Sequence, residues 1–213
     1  MPRTFSAKSI LKMKFSTFPF KGLLKKVFGT PSTCGLWLLF GKDKNGKTSG
    51  TLLLCDLLIK YARILYVSAE EGIETEFQDA LRRIQIDYSN PYLHFVEYES
   101  IEEIKNRFEK GKRNKPDIVV LDNLTMYREL TAKDIIELDR FAKQQGIIII
   151  CLAHEERNEP YGSAAKMVKK LAKVIIRVKG LTLIVSGRVP GGNIVINEEK
   201  ACLYHGMEII ENK

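Results

Sequence analysis

Residues 41–48 read Gly41-Lys42-Asp43-Lys44-Asn45-Gly46-Lys47-Thr48, a match to G-x-x-x-x-G-K-[ST]. No other stretch restricts the fold as tightly. The pattern functions only between a strand that delivers the loop and a helix whose N-terminus faces the same ligand. The flanks agree with that requirement. Gly35 to Phe40 (GLWLLF) is a short apolar run, and Thr48 to Tyr61 has helical spacing at Leu52, Leu53, Leu57 and Leu58. Glycines let successive N–H groups turn inward toward phosphate oxygens. Lys47 has the reach for β- and γ-phosphates, and the Thr48 hydroxyl is suited to Mg2+. The candidate phosphate-binding residues therefore run from Gly41 through Ser49.

The remaining apolar runs alternate with helical periods. Strands are predicted at Ile64 to Ser68, Leu93 to Val96, Ile118 to Leu121 and Ile147 to Leu152. Helices are predicted over 73–85, 100–110, 131–144 and 163–173, two of them opened by the capping signatures Ser100/Glu103 and Thr131/Asp134. Beyond residue 174, short β-rich runs broken by Gly180, Gly187, Pro190 and Gly191–Gly192 read as antiparallel hairpins. Strands alternating with helices imply right-handed βαβ units, hence a three-layer α/β fold with a mainly parallel sheet and hairpins at its C-terminal edge.

The chain's net charge of +8 is uneven. Residues 1–50 hold ten Lys or Arg against one acid, Asp43, and residues 161–197 hold seven basic residues and no acid. Such patches attract polyanions, nucleic acid and nucleotide phosphate foremost, although a solvated basic face has the same composition. Residues 1–24 read as a basic arm interleaved with Phe5, Phe15, Phe18 and Phe20, or as an edge element packed on the core, and 25–213 as one domain. The four cysteines are dispersed with no CxxC pair, which argues against a zinc site or disulfide framework and for a reducing, cytoplasmic setting. Apolar runs such as Ile147 to Ala153 are too short for a membrane span.

Hydrolysis at a phosphate loop needs a carboxylate that holds the metal's water shell and another that orients the attacking water. Asp122 ends the strand from Ile118, at the sheet edge where the loop also lies; an acidic helix cap is the other reading of that position. Glu70 and Glu71 follow the strand ending at Ser68 and project from the same edge, unless they form only a solvated acidic turn before a helix.

Strand–GKDKNGKT–helix, then LYVSAEEG, DIVVLDN and IIIICLAHEE, in this order, resembles the RecA-like P-loop ATPase core, of the RadA/Sms, DnaB and KaiC type. The similarity spans roughly residues 25–205, in the minimal single-domain form found in phages and mobile elements. It implies that Glu70, with Glu71 as neighbour or substitute, is catalytic. It also implies that Asp122 joins Thr48 at Mg2+, that Lys47 acts on ATP, and that His154 senses the γ-phosphate. The family's trans-acting finger, often K-x-R, maps onto Ser186-Gly187-Arg188: Arg188 matches, and Ser186 stands where the lysine would be. The resemblance further implies a homo-oligomer, a ring or filament with a hexamer expected. Three functions follow from it: an ATPase of DNA recombination, repair or replication acting on single-stranded DNA; a KaiC-type ATP-driven switch without nucleic acid; or a non-hydrolysing loader or adaptor. For DNA contact, loop 155–162 (EERNEPYG) is acidic, and the basic helix after it is the better candidate.

Overall fold

The computed structural model describes residues 4–109, 114–198 and 201–202. Residues 203–213, assigned above to the ATPase domain, lie outside it, as does Lys110 of the predicted third helix. Among the described residues the central sheet has 9 strands. They are β1 (Gly35–Gly41), β2 (Ile64–Ser68), β3 (Leu93–Val96), β4 (Ile118–Asp122), β5 (Ile148–Glu156), β6 (Glu159–Pro160), β7 (Val174–Lys179), β8 (Thr182–Gly187) and β9 (Gly192–Val195). The order is β3-β2-β4-β5-β1-β7-β8-β9, with β6 paired to β5. Strands β1 to β5 and β7 run parallel, while β8 and β9 return antiparallel at one edge.

The parallel strands are buried on both faces, which is why they read as continuous apolar runs. Alternation along β1 divides the core: Trp37 and Leu39 enter one cluster, Leu36, Leu38 and Phe40 the other. Helices α2 (Gly22–Phe28), α3 (Lys47–Leu58) and α4 (Thr75–Ile84) supply the first cluster. Helices α5 (Ile101–Asn106), α6 (Ala132–Gln145) and α7 (Ser163–Leu171) cover the other face. A short helix, α1 (Ala7–Leu11), precedes them. Both predicted capping boxes form, at Ser100/Glu103 and Thr131/Asp134. Gly146 ends α6 with φ 71°, the left-handed conformation a helix stop favours.

Several boundaries differ from the sequence expectation. Helix α4 starts at Thr75, so Ile73 stays outside it and exposed instead of joining the apolar stripe. Helix α5 is only six residues long, ending at Asn106. Strand β5 runs beyond Leu152 to Glu156, and the segment read as loop 155–162 is largely a tight hairpin, with Glu155 opposite Pro160 and Glu156 opposite Glu159. Of the described residues 4–24, those through Thr17 are mostly exposed, whereas Phe18, Phe20 and Leu24 are buried in the same cluster as Trp37. Among the described residues, no helix is long and apolar enough to cross a membrane.

Candidate active site

The phosphate loop leaves the buried strand β1 at Gly41. A Cβ there would sit 2.6 Å from the Val178 carbonyl oxygen on β7, so only glycine allows this close approach. The loop ends at Gly46, whose φ of 87° is left-handed and starts α3. The first turn of α3 carries no acid, so its N-terminal field is not cancelled. Lys47 opens the helix, and its ammonium is curled back on the loop, donating to the Lys42 carbonyl at 3.3 Å and to Asp43 Oδ1 at 3.0 Å. Asn45 braces the turn through Nδ2 to the Asp43 carbonyl at 3.3 Å. Thr48, in the same first turn, donates its hydroxyl to Glu71 Oε1 at 3.1 Å.

The acids arrive from the neighbouring strands. Ser68 pairs with Asp122 in the β2–β4 ladder, which places two strand tips side by side. The Ala69 and Glu70 amides both donate to the Asp122 carbonyl, at 2.7 and 3.0 Å, fixing how the chain leaves β2. The Asp122 carboxyl is 4% exposed and accepts a hydrogen bond from the Tyr66 hydroxyl. Burial pushes its pKa up to about 7, against the pull of that hydroxyl, and the nearby negative charges of Glu71 and Glu70 add to the rise. Tyr66, itself fully buried, is pushed well above its ordinary value by desolvation and by Asp122.

Glu70 and Glu71 point to different partners. Glu71 holds Thr48. Glu70 accepts from Asn123 Nδ2, and its Oε1 lies 3.1 Å from His154 Nε2. Asn123 is wholly buried, and its Nδ2 also lies 2.9 Å from His154 Nε2. Its Oδ1 accepts from the Thr125 amide at 2.8 Å and from the Thr125 hydroxyl, which locks the amide's orientation. His154 sits opposite Gly41 in the β1–β5 ladder, and its Nδ1 lies 2.5 Å from Asp43 Oδ1. The Lys47 ammonium holds the Asp43 carboxyl below the usual carboxylate range, with His154 adding to the effect.

These groups line one cleft of ≈ 660 Å³, a size that accommodates a nucleotide. Asp43, Lys44, Gly46, Lys47, Thr48 and Ser49 line it from the loop; Glu70, Glu71, Asp122 and His154 line it from the strand tips. Glu76 and Arg83 of α4, and Leu181 and Ile196 beside the hairpin strands, complete the walls. Tyr66, Asn123 and Arg83 were not foreseen. Tyr66 reads as an ordinary core aromatic in its strand; Asn123 carried one overlooked signal, a second polar residue at the end of an apolar strand.

Among the described residues, no group of three or more His, Cys, Asp or Glu is disposed to hold a metal by itself. Mg2+ is commonly held by one or two protein oxygens together with water and substrate phosphate. The Thr48 hydroxyl and the Asp122 carboxyl, facing one cleft beside a phosphate loop, are a donor set of this kind.

Arg188 is not part of this assembly. Strand β8 runs antiparallel to β7, so Gly187 pairs with Val174 at the start of β7, while the phosphate loop's Gly41 pairs with Val178 near the other end. Arg188 follows at that far rim, exposed, its amide held by the Lys173 carbonyl at 2.8 Å. The 155–160 hairpin also binds nearby cations to itself. Arg177 makes a two-pronged contact with Glu155 at 2.8 and 2.6 Å, and Lys169 of α7 pairs with Glu159 at 2.8 and 2.6 Å.

No protein-family model and no curated protein matches the chain. Solved structures do. A KaiC-like protein from the hyperthermophilic archaeon Pyrococcus horikoshii is similar at TM-score 0.58 and 14% identity, over 83% of this chain and 88% of that one. The flagellar accessory protein FlaH from Methanocaldococcus jannaschii is similar at TM-score 0.58 and 17% identity, over 85% and 93% respectively. The fold is thus RecA-like, with a mainly parallel sheet and antiparallel hairpins at one edge.

Proposed function

We propose that this RecA-like chain hydrolyses ATP with Mg2+ as a homo-oligomer and serves DNA metabolism, acting on single-stranded DNA. The observation that carries the ATPase reading is the convergence, in one cleft, of Lys47 and Thr48 from the loop with Asp122, Glu70 and His154 from three strand tips. Loop amides and Lys47 would bind the phosphates and offset the charge that gathers on them in the transition state. Thr48 and Asp122 would hold Mg2+, whose chemistry here is to neutralise the β- and γ-oxygens. Glu70 would polarise the attacking water, with Asn123 and His154 fixing its carboxylate. Arg188 would act on a neighbouring subunit's site, coupling hydrolysis to assembly.

The nucleic-acid part rests on charge. Lys8, Lys12, Lys14, Lys21, Lys25 and Lys26 are all exposed, on a stretch that also exposes Phe15. Phosphate neutralisation with base stacking is how single strands are commonly gripped. The second reading, a KaiC-type switch without nucleic acid, is favoured by the hairpin ion pairs, which occupy Arg177 and Lys169 with internal acids. It also accords with the likeness to a KaiC-like structure.

One experiment separates these. Phosphate release is measured against protein concentration, with and without single-stranded DNA and at several salt concentrations. The proposal expects turnover that Glu70→Gln abolishes, that rises with assembly, and that DNA stimulates less as salt increases. Turnover indifferent to DNA supports the switch. Nucleotide binding without turnover supports a non-hydrolysing adaptor.

A further inference from the structure

Two donors in the cleft converge on one oxygen of the chain itself. Lys47 Nζ lies 3.0 Å and His154 Nδ1 2.5 Å from Asp43 Oδ1. In the reading proposed above Lys47 binds the phosphates, and the family resemblance gives His154 the role of sensing the γ-phosphate. An acid inside a phosphate loop is otherwise hard to account for, because it repels the ligand the loop's amides attract. Asp43 is also the only acid in the first fifty residues, among ten basic ones. Its side chain is 73% exposed, so core packing does not require it there.

We propose that Asp43 is an intrachain competitor for the terminal phosphate and a positioning residue for His154: its carboxylate and a γ-phosphate contend for the same two donors. The contest extends beyond the loop. His154 is bonded to Asp43 through one ring nitrogen and faces Glu70 and Asn123 through the other, at 3.1 and 2.9 Å. A phosphate that displaces Asp43 takes over the Nδ1 side of the ring, so arrival of the terminal phosphate is reported to the glutamate that would orient water. A diphosphate lacks the group that completes this exchange. The loop acid therefore weakens triphosphate binding relative to diphosphate binding, while only a triphosphate makes the exchange that is reported to Glu70.

This inference rests on the nucleotide-site reading, and its test keeps the two apart. Fluorescent ADP and a non-hydrolysable ATP analogue are titrated into the full chain, wild type and Asp43→Asn, with Asp43→Ser as a second variant. Circular dichroism confirms that each is folded. Because two individually weak, partly exposed contacts are removed, the analogue should bind about three- to thirtyfold tighter to both variants. The gain should be smaller for ADP. It should also shrink when His154→Asn is present, since contending for a shared donor couples the two positions. In steady state KM for ATP should fall by a similar factor, with kcat changing less.

Equal or weaker binding of the analogue by Asp43→Asn, with wild type binding normally, overturns the competition and leaves the nucleotide site standing. An identical gain for ADP, additive with His154→Asn, also overturns it, because a diffuse charge effect then suffices. Folded wild type and variants that bind no nucleotide overturn the site itself and this inference with it.

Discussion

Replacing Asp122 by asparagine tests whether the strand tip is built for function at the expense of stability. The carboxyl has a pKa of 3.8 as an unperturbed side chain and about 7 in the fold, because burial disfavours its charged form. The folded state then binds the proton more readily than the unfolded chain between those values. The stabilising effect of the neutral carboxyl is complete below about pH 4 and fades as pH rises, until above about pH 7 the fold carries a buried charge. Three pKa units at about 1.36 kcal/mol each make the full swing about 4 kcal/mol. Asparagine keeps an oxygen for the Tyr66 hydroxyl and has nothing to ionise. In urea melts with chelator and without nucleotide, Asp122→Asn should match wild type only below about pH 4 and exceed it by a few kcal/mol at pH 8, with equal m-values. Most substitutions destabilise, so a gain of this kind is distinctive. A difference that does not change with pH, or a variant less stable at pH 8, refutes the reasoning.

Lys47→Ala removes the ammonium at the loop's centre and should abolish nucleotide binding and turnover, read by nucleotide fluorescence and phosphate release. Arg188→Ala should leave nucleotide affinity intact and slow hydrolysis at concentrations where the protein assembles; equal rates would remove the finger role. Phe28 is 1% exposed and stacked on Trp37 at 5.4 Å. Phe28→Ala should cost about 3–5 kcal/mol by leaving a cavity, and the fluorescence of Trp37, the single tryptophan, should shift with it.

Much of this was legible in the sequence because parallel strands buried on both faces leave an unambiguous trace. Ile118 to Leu121 and Ile147 to Leu152 admit few other readings, and an acid that ends such a run must emerge at a sheet edge. The two capping boxes were equally direct, since each satisfies backbone donors with side chains only three residues away. What the sequence hides are contacts between segments distant along the chain. Tyr66 and Asp122 are 56 residues apart, and nothing local says that β2 and β4 are neighbours. The aromatics of the N-terminal stretch make the same point. Phe15 and Phe18 have similar basic surroundings, yet Phe15 is 69% and Phe18 4% exposed, because the chain bridges to Ser32 at Thr17 and turns onto the core there.

Register also settles how Arg188 can act. Parallel pairing brings Gly41, Ser68, Asp122 and His154 toward one rim from four separate stretches of sequence. The antiparallel return of β8 carries Arg188 to the other rim. No movement of a side chain bridges the length of a strand, so within one chain Arg188 and Lys47 cannot share a phosphate. A finger role is therefore possible only between subunits whose opposite rims meet. Such contacts are heterologous, and heterologous contacts build rings or filaments, not closed two-fold dimers. Hydrolysis per subunit should then rise with protein concentration in wild type and stay flat and slow in Arg188→Ala. Mixing Arg188→Ala with Lys47→Ala should restore activity, because sites that keep Lys47 then border neighbours that keep Arg188. Absence of that restoration, with both variants assembling normally, would show that the arginine does not act across the interface.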